Sequence, residues 1–357
     1  MFRSPTSLPH RLSAQAYWSE EQYQRELPRL QGGWQLVGHL GELSRAGDFI
    51  TCSVLGQAVQ VRNFNGQLRA LSNVCAHRHC LLSHQRRGHS PSMRCQYHGW
   101  EYGSNGRPCK IPEPKNFVPF PRETMALPAY AVDCAGQLVF VRLGQGPSLA
   151  EQLGPVYPLC QQFFGPDWKV HLDWRPDYPA NWKVPVENSL EAYHVPCVHP
   201  HTFGQDPGEQ RSRHEFFQGG SSFSTRLPFA HTRLDAAFQR CEGWVVRRLG
   251  ASNDDLYHQY HIFPNLLFSF TSASSFVQCV LPTGAATSRA LVLQFARRGG
   301  WLGPAWGSLK AALTLKILRE DLGLFRAIQE GLQASPHTGL LGRCEERIHA
   351  FQDDLLA

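Results

Sequence analysis

Two short groups of thiol and imidazole ligands lie close together in the chain, Cys75-Ala76-His77 and Cys95-Gln96-Tyr97-His98. Two kinds of centre accept that set. One is a Rieske iron–sulfur cluster, in which the cysteines hold one iron, the histidines hold the other, and the imidazoles raise the reduction potential. The other is a structural zinc ion, which takes the same residue types. A second chemical group runs from Asn181 to His199. Read as a helix, Glu187, Glu191 and His194 share one face, and Val186, Leu190 and Tyr193 share another. His194 and His199 would then sit roughly 140° apart around a continuous helix, too far to share one ion. Pro196 disfavours helix at Val195, so the helix is expected to end there and His199 to fold back toward His194. Two imidazoles and one carboxylate make the facial triad that holds Fe(II) and leaves positions open for O₂.

The acid is sought in the C-terminal helical pattern. Asp321 falls in a row with Ile317, Leu324 and Ile328. A buried, unpaired carboxylate there is costly, and a metal ion removes that cost. Glu320, four residues after Lys316, reads instead as a solvent-side ion pair. Pairing of Asp321 with Arg319 or Arg326 is the alternative to a metal.

These residues need elements to position them. Residues 16–31 read as a helix with Ser19 as N-cap and acids in its first turn. From Trp34 the pattern changes to short runs rich in Val, Leu and Phe, at 34–39, 49–55, 57–62, 67–72 and 137–143. Gly, Asn and Asp punctuate them, which predicts a small all-β unit with the Cys/His pairs on loop tips. Asn65-Gly66 predicts a hairpin turn. The proline-rich stretch 104–129 predicts irregular chain, and Gly144 to Pro155 reads as a linker. Beyond it come strands near 167–174, 243–248, 256–270, 275–282 and 288–297, with helices near 183–195 and 307–332. Strands in series with helices on one side predict an α+β layer.

Length and composition narrow the field. A chain of 357 residues with 42% hydrophobic and 18% charged residues suits two globular domains. No apolar run is long enough to span a bilayer. Residues 1–17 lack the apolar region of a secretory signal. Eleven scattered cysteines fit a reducing, cytoplasmic setting better than a disulfide scaffold. The net charge of +6 comes without a basic block, so no nucleic-acid partner is expected. No Gly-x-Gly-x-x-Gly follows a strand, so the electrons for any redox chemistry should come from another protein.

The flanks separate the two readings of the Cys/His set. Asn73-Val74-Cys75-Ala76-His77-Arg78 and Cys95-Gln96-Tyr97-His98-Gly99-Trp100-Glu101-Tyr102 resemble the Rieske domain of the ring-hydroxylating oxygenase family. That resemblance implies a [2Fe–2S] cluster on Cys75, His77, Cys95 and His98. His79, Cys80, His84 and His89 lack partners at ligand spacing and read as loop residues.

The second half resembles the catalytic domain of the same Rieske non-heme iron oxygenase α subunits. The matching stretches are Glu187-Asn188 through Glu191, Tyr193, His194 and His199-Pro200, then His261 to Leu267, then Glu320-Asp321 with Gln329 and Gly331-Leu332. The resemblance implies mononuclear Fe(II) on His194, His199 and Asp321, and catalytic roles for Glu191 and Asn188. It implies an α+β protein, an N-terminal all-β Rieske domain plus a helix-grip catalytic domain of antiparallel sheet and C-terminal helix. The expected layout is a helical segment 1–33 belonging to the catalytic part, a Rieske domain 34–145 and a catalytic domain 146–357. It further implies a homotrimer, fed by an NAD(P)H-dependent reductase or ferredoxin, in which Glu191 links the iron of one subunit to a cluster histidine of its neighbour. The expected activity is hydroxylation or demethylation of a small organic substrate, with a quaternary ammonium compound suggested by Glu at 191. The alternative is cis-dihydroxylation of an aromatic ring. His201 is expected to be an ordinary polar group, Phe203, Phe217 and Phe223 core, and Cys197 pocket wall.

Overall fold

The computed structural model describes residues 2–121, 124–227, 233–249 and 255–357. The chain divides into two compact units, one of Pro28–Leu149 and one of Met1–Leu27 together with Ala150–Ala357.

The Pro28–Leu149 unit is built on an antiparallel sheet of seven strands. Their order is Gln35–His39, Leu138–Arg142, Ala129–Ala135, Gln67–Ser72, Gln57–Phe64, Asp48–Val54 and Arg87–His89. Val59, Val61, Leu138 and Phe140 are fully buried in it. The Asn65-Gly66 turn has φ of 53° and 92°, the doubly positive backbone that a tight hairpin of right-handed strands requires. A smaller sheet pairs Met93–Arg94, Glu101–Tyr102 and Pro108–Lys110. The proline-rich stretch expected to be irregular therefore contributes an edge strand. Pro108 is tolerated there because an edge strand has a spare N–H position. Gln31 accepts a hydrogen bond from the Gly144 N–H at 2.8 Å, so the two ends of this unit lie side by side.

The other unit contains an antiparallel sheet in the order Trp168–Trp174, Thr287–Arg297, Ser274–Gly284, Leu266–Phe270, Leu256–Ile262, Gly220–Arg226 and Arg213–Phe217. Asp177–Tyr178 joins it through Thr287–Arg297. The Leu302–Ala334 helix packs on this sheet, which is the expected helix-grip arrangement. It approaches closely at Gly307, where a Cβ would come within 2.4 Å of the His171 ring. The helix Glu20–Gly32 begins after Ser19, whose Oγ accepts the Gln22 N–H at 3.3 Å, as the N-cap reading requires. Among the described residues no helix is long and apolar enough to cross a membrane.

Three sequence expectations are corrected. Residues 243–248 are not a strand but the end of the helix Arg233–Arg248. Val245 and Val246 are buried while Trp244 is 44% exposed, a helical alternation that a short apolar run does not reveal. Residues 256–270 form two strands, not one, with the chain reversing between Ile262 and Leu266. The helix expected over 183–195 stops at Asn188, and a new short helix, Val195–Val198, starts where the old one was expected to end. Pro196 lies in its first turn, where a missing N–H costs nothing.

Candidate metal centres

The two Cys/His loops share one backbone design. Cys75 donates its N–H to the Cys80 carbonyl at 2.9 Å and accepts the His79 N–H at 3.0 Å. Cys95 donates to Trp100 at 2.8 Å and accepts from Gly99 at 3.0 Å. The equivalent positions His79 and Gly99 both have positive φ, 56° and 73°. Each loop thus curls around its cysteine, and both cysteines are buried. The imidazoles of His77 and His98 meet with ring centroids 4.6 Å apart, and Trp100 stacks flat on His77 at 4.9 Å. Trp100 in the motif therefore fixes the plane of the His77 ring.

The donors fit a cluster. His77 Nδ1 is buried without a hydrogen-bond partner, as expected of a nitrogen reserved for a metal. Burial, and then the neighbouring His98, holds the His77 value below that of an ordinary histidine, which favours the neutral, ligating ring. The Tyr102 hydroxyl accepts the Ala76 N–H at 3.0 Å and lies 3.1 Å from Cys75 Sγ. Its own proton is then free to point at the sulfur, a bond that stabilises a thiolate ligand. Cys80 packs against this same core, and His79 and His84 are exposed, while His89 bonds Asp48 at 2.9 Å.

The second group gathers in the larger unit. His194, His199 and Asp321 each offer a ligand atom, and the three lie within 4.8 Å of one another. The Val195–Val198 turn makes this possible by bringing two histidines five residues apart to one side. His194 Nε2 stands 3.6 Å and His199 Nε2 3.1 Å from Asp321 Oδ1. Both rings are held from behind. His194 Nδ1 donates to Glu191 Oε1, and His199 Nδ1 donates to Glu320 Oε2 at 2.8 Å. A carboxylate on Nδ1 fixes the tautomer and leaves the Nε2 lone pair for a metal. Asp321 Oδ1 is buried without a hydrogen-bond partner, the orphaned acceptor that a cation would satisfy. Burial opposes a charged His199, yet Asp321 and Glu320 outweigh it and hold the ring above the ordinary histidine value. Glu191, Glu320 and Asp321 thus gather negative charge at the triad end of the site.

Several assignments change here. Glu320 is not a solvent-side partner of Lys316. It grips His199 and also accepts the Thr202 hydroxyl at 3.0 Å. The buried row of the long helix is Asp321, Phe325 and Gln329, whereas Leu324 and Ile328 are 40% and 38% exposed. Asp321 sits at the edge of the face that sequence reasoning chose. Glu187 leaves the stripe it was placed on, because the helix ends before Glu191. It accepts the Tyr17 hydroxyl at 2.6 Å and the Gln352 amide at 2.9 Å, and burial raises its carboxyl value. Cys197 is exposed and lies away from the cavity wall.

A cavity of about 800 Å³ opens on the triad. Asn188, His201, Phe203 and Phe223 line it with His194, His199 and Asp321, whereas Phe217 does not. Glu191, which also accepts the His194 N–H at 3.0 Å, stands at its edge.

Comparison with known proteins places this geometry. The family pattern described as "Ring hydroxylating alpha subunit (catalytic domain)" matches residues 164–357, and "Rieske [2Fe-2S] domain" matches residues 33–131. The chain is 29% identical over 267 residues to the carnitine monooxygenase oxygenase subunit of Acinetobacter pittii (strain PHEA-2), covering 71% of this chain and 67% of that protein. It is 28% identical over 185 residues to toluate 1,2-dioxygenase subunit alpha of Pseudomonas putida, covering 47% of this chain and 40% of the relative. The match thus spans less than half of that relative's length. A solved structure of the quaternary ammonium Rieske monooxygenase CntA superposes with a TM-score of 0.79 at 22% identity, over 97% of this chain and 93% of the other. Naphthalene 1,2-dioxygenase from Rhodococcus sp. gives 0.76 at 16% identity, over 98% and 94%. At such identities these two likenesses establish the fold.

Proposed function

The chain belongs to the ring-hydroxylating oxygenase α-subunit family, and on that premise we propose that it is a terminal oxygenase acting on a small organic substrate by hydroxylation or demethylation. Cys75, His77, Cys95 and His98 would hold a [2Fe–2S] cluster, and His194, His199 and Asp321 a mononuclear Fe(II). When bound, the cluster supplies single electrons and the iron activates O₂. A separate NAD(P)H-dependent reductase or ferredoxin feeds the chain, which works as a homotrimer.

The observation that carries this reading is the triad, with its orphaned Asp321 oxygen, set in the wall of a ligand-sized cavity. The protein's own work there is positional. Glu191 and Glu320 hold two imidazoles with Nε2 forward. Apolar and aromatic walls exclude water, which confines oxidation to the bound molecule. Asn188, on the cavity wall, offers an amide to orient substrate. Glu191 would in addition accept a hydrogen bond from a cluster histidine of the adjacent subunit, giving the electron a short path.

Phe203, Phe223, Tyr257 and Phe268 line the cavity, and aromatic rings suit a quaternary ammonium group, the compound class in the name of the CntA monooxygenase. The same walls suit a flat ring, so cis-dihydroxylation of an aromatic acid or hydrocarbon is the second reading. Oxygen uptake by the reduced, reductase-coupled protein tests both. γ-Butyrobetaine, benzoate and naphthalene are offered in turn and the products identified. Uptake with none of the three, by protein holding both metal centres, would refute the assignment of these substrate classes.

A further inference from the structure

Among the described residues, the cavity wall carries a cation with no paired anion. Arg347 is 1% exposed and lines the cavity that holds the triad. Its Nε donates to Ser221 Oγ at 3.0 Å and its Nη1 to Gln259 Oε1 at 2.7 Å. Both partners are neutral. Its Nη2 is buried with no hydrogen-bond partner. The adjacent carboxylate, Glu346, pairs with His214 instead, and burial pulls the Arg347 guanidinium down to about 9. The residue also sits in the first turn of the helix Glu346–Leu356, where the helix dipole adds positive potential rather than offsetting it.

The nearby acids are already engaged. Glu346 accepts the N–H groups of Arg3 and Ser4 at 2.8 and 2.9 Å and bonds His214 Nδ1 at 2.8 Å. Glu209 pairs with Arg343. Asp206 accepts the Gly208 N–H at 2.6 Å. Glu191 holds His194, and Asp321 faces the Nε2 atoms of both histidines. A buried guanidinium left without a counter-charge is costly. Unpartnered polar groups of this kind in a cavity wall mark the place where a ligand completes the set.

We propose that Arg347 is the anchor for a carboxylate on the substrate, so that the oxidised molecule is an organic acid or a zwitterion held by its acidic end. This rests on the oxygenase reading above only in naming the ligand as substrate. Ser221 and Gln259 hold two guanidinium nitrogens and leave Nη2 as the free donor. A carboxylate arriving at Nη2 forms a charge-assisted hydrogen bond in a dry pocket, whereas an isosteric amide leaves the cation uncompensated. The anchor lies on a different element from the triad, so one end of the molecule is fixed while another is presented to the iron ligands.

The test is calorimetric titration of the anaerobic holoenzyme with two matched pairs, benzoate against benzamide and γ-butyrobetaine against its carboxamide. Wild-type protein is expected to bind at least one carboxylate about tenfold or more tightly than its amide. In Arg347→Gln the preference should shrink to within about threefold, with Arg347→Lys in between. Equal affinity for acid and amide in the wild type would overturn the proposal, as would an unchanged preference in Arg347→Gln. If the Gln variant does not fold, the wild-type pairs and the Lys variant decide. Failure of the oxygenase reading shows differently: acids would bind with the expected preference while no organic acid stimulates oxygen uptake.

Discussion

At the scale of single residues, a carboxylate stands behind each of two imidazoles, Glu191 behind His194 and Glu320 behind His199. The Cys/His pairs and the two histidines announce themselves by type and spacing. Glu320 does not, because four residues after a lysine on a helix it looks like any surface acid, and only the fold brings His199 to it. Asp321→Ala is expected to lose the mononuclear iron while the visible spectrum of the cluster survives, read as the ratio of iron to acid-labile sulfide. Glu320→Ala should lower iron affinity or turnover by about 10- to 100-fold, the usual cost of removing a carboxylate behind a ligating histidine. Iron retention equal to wild type in competition with a chelator would show that Thr202 and burial suffice to orient His199.

At the scale of elements, strands with turn residues between them were placed well, since Gly, Asn and Asp mark their ends. The errors came where one apolar run satisfies two periods, as in Trp244-Val245-Val246, or where proline admits two roles, as at Pro196. What pins the segment before His194 and His199 lies outside its own sequence. Lys183 is fully buried and pairs with Glu26 at 2.8 Å, and Trp182 donates to the same carboxylate at 2.9 Å. Glu26→Gln leaves the ammonium without its charge partner and should destabilise by about 3–5 kcal/mol in urea unfolding.

Two strands also carry a pH dependence. Burial holds His261 down to about 3, and burial and then Arg347 hold His214 down to about 4. Both rings take a proton more readily unfolded than folded. Their contribution to stability is full above about pH 6.5 and is lost as the pH falls from there toward the folded values, by up to about 1.4 kcal/mol per unit for each ring. Urea midpoints measured from about pH 7.5 to about pH 5 should fall, and His261→Gln should flatten the slope.

At the scale of the whole molecule, Glu191 carries the proposed link between subunits. Glu191→Gln is expected to keep both metal centres and the oligomer yet slow reoxidation of the pre-reduced cluster in a single turnover with substrate and O₂. An unchanged rate would confine Glu191 to holding His194. The chain divides into two units, and the sequence pattern changes at Trp34. The return of Met1–Leu27 to the second unit was not readable from periodicity, because its contacts are with residues more than a hundred positions away, such as Tyr17 with Glu187 and Arg11 with Asp353.

The hydrogen bond from Gly144 to Gln31 has a consequence in time. As the chain leaves the ribosome, residues 1–27 meet their partners in 150–357 only after that later stretch is made. Joining the two across a floppy stretch of this length would carry a loop-closure cost of about 4 kcal/mol. A contiguous insert that folds early and brings its own ends together at Gln31 and Gly144 shortens that search to the reach of a turn. The Pro28–Leu149 unit then serves as a clasp during synthesis, and substitutions that loosen its sheet should slow the folding of the rest of the chain.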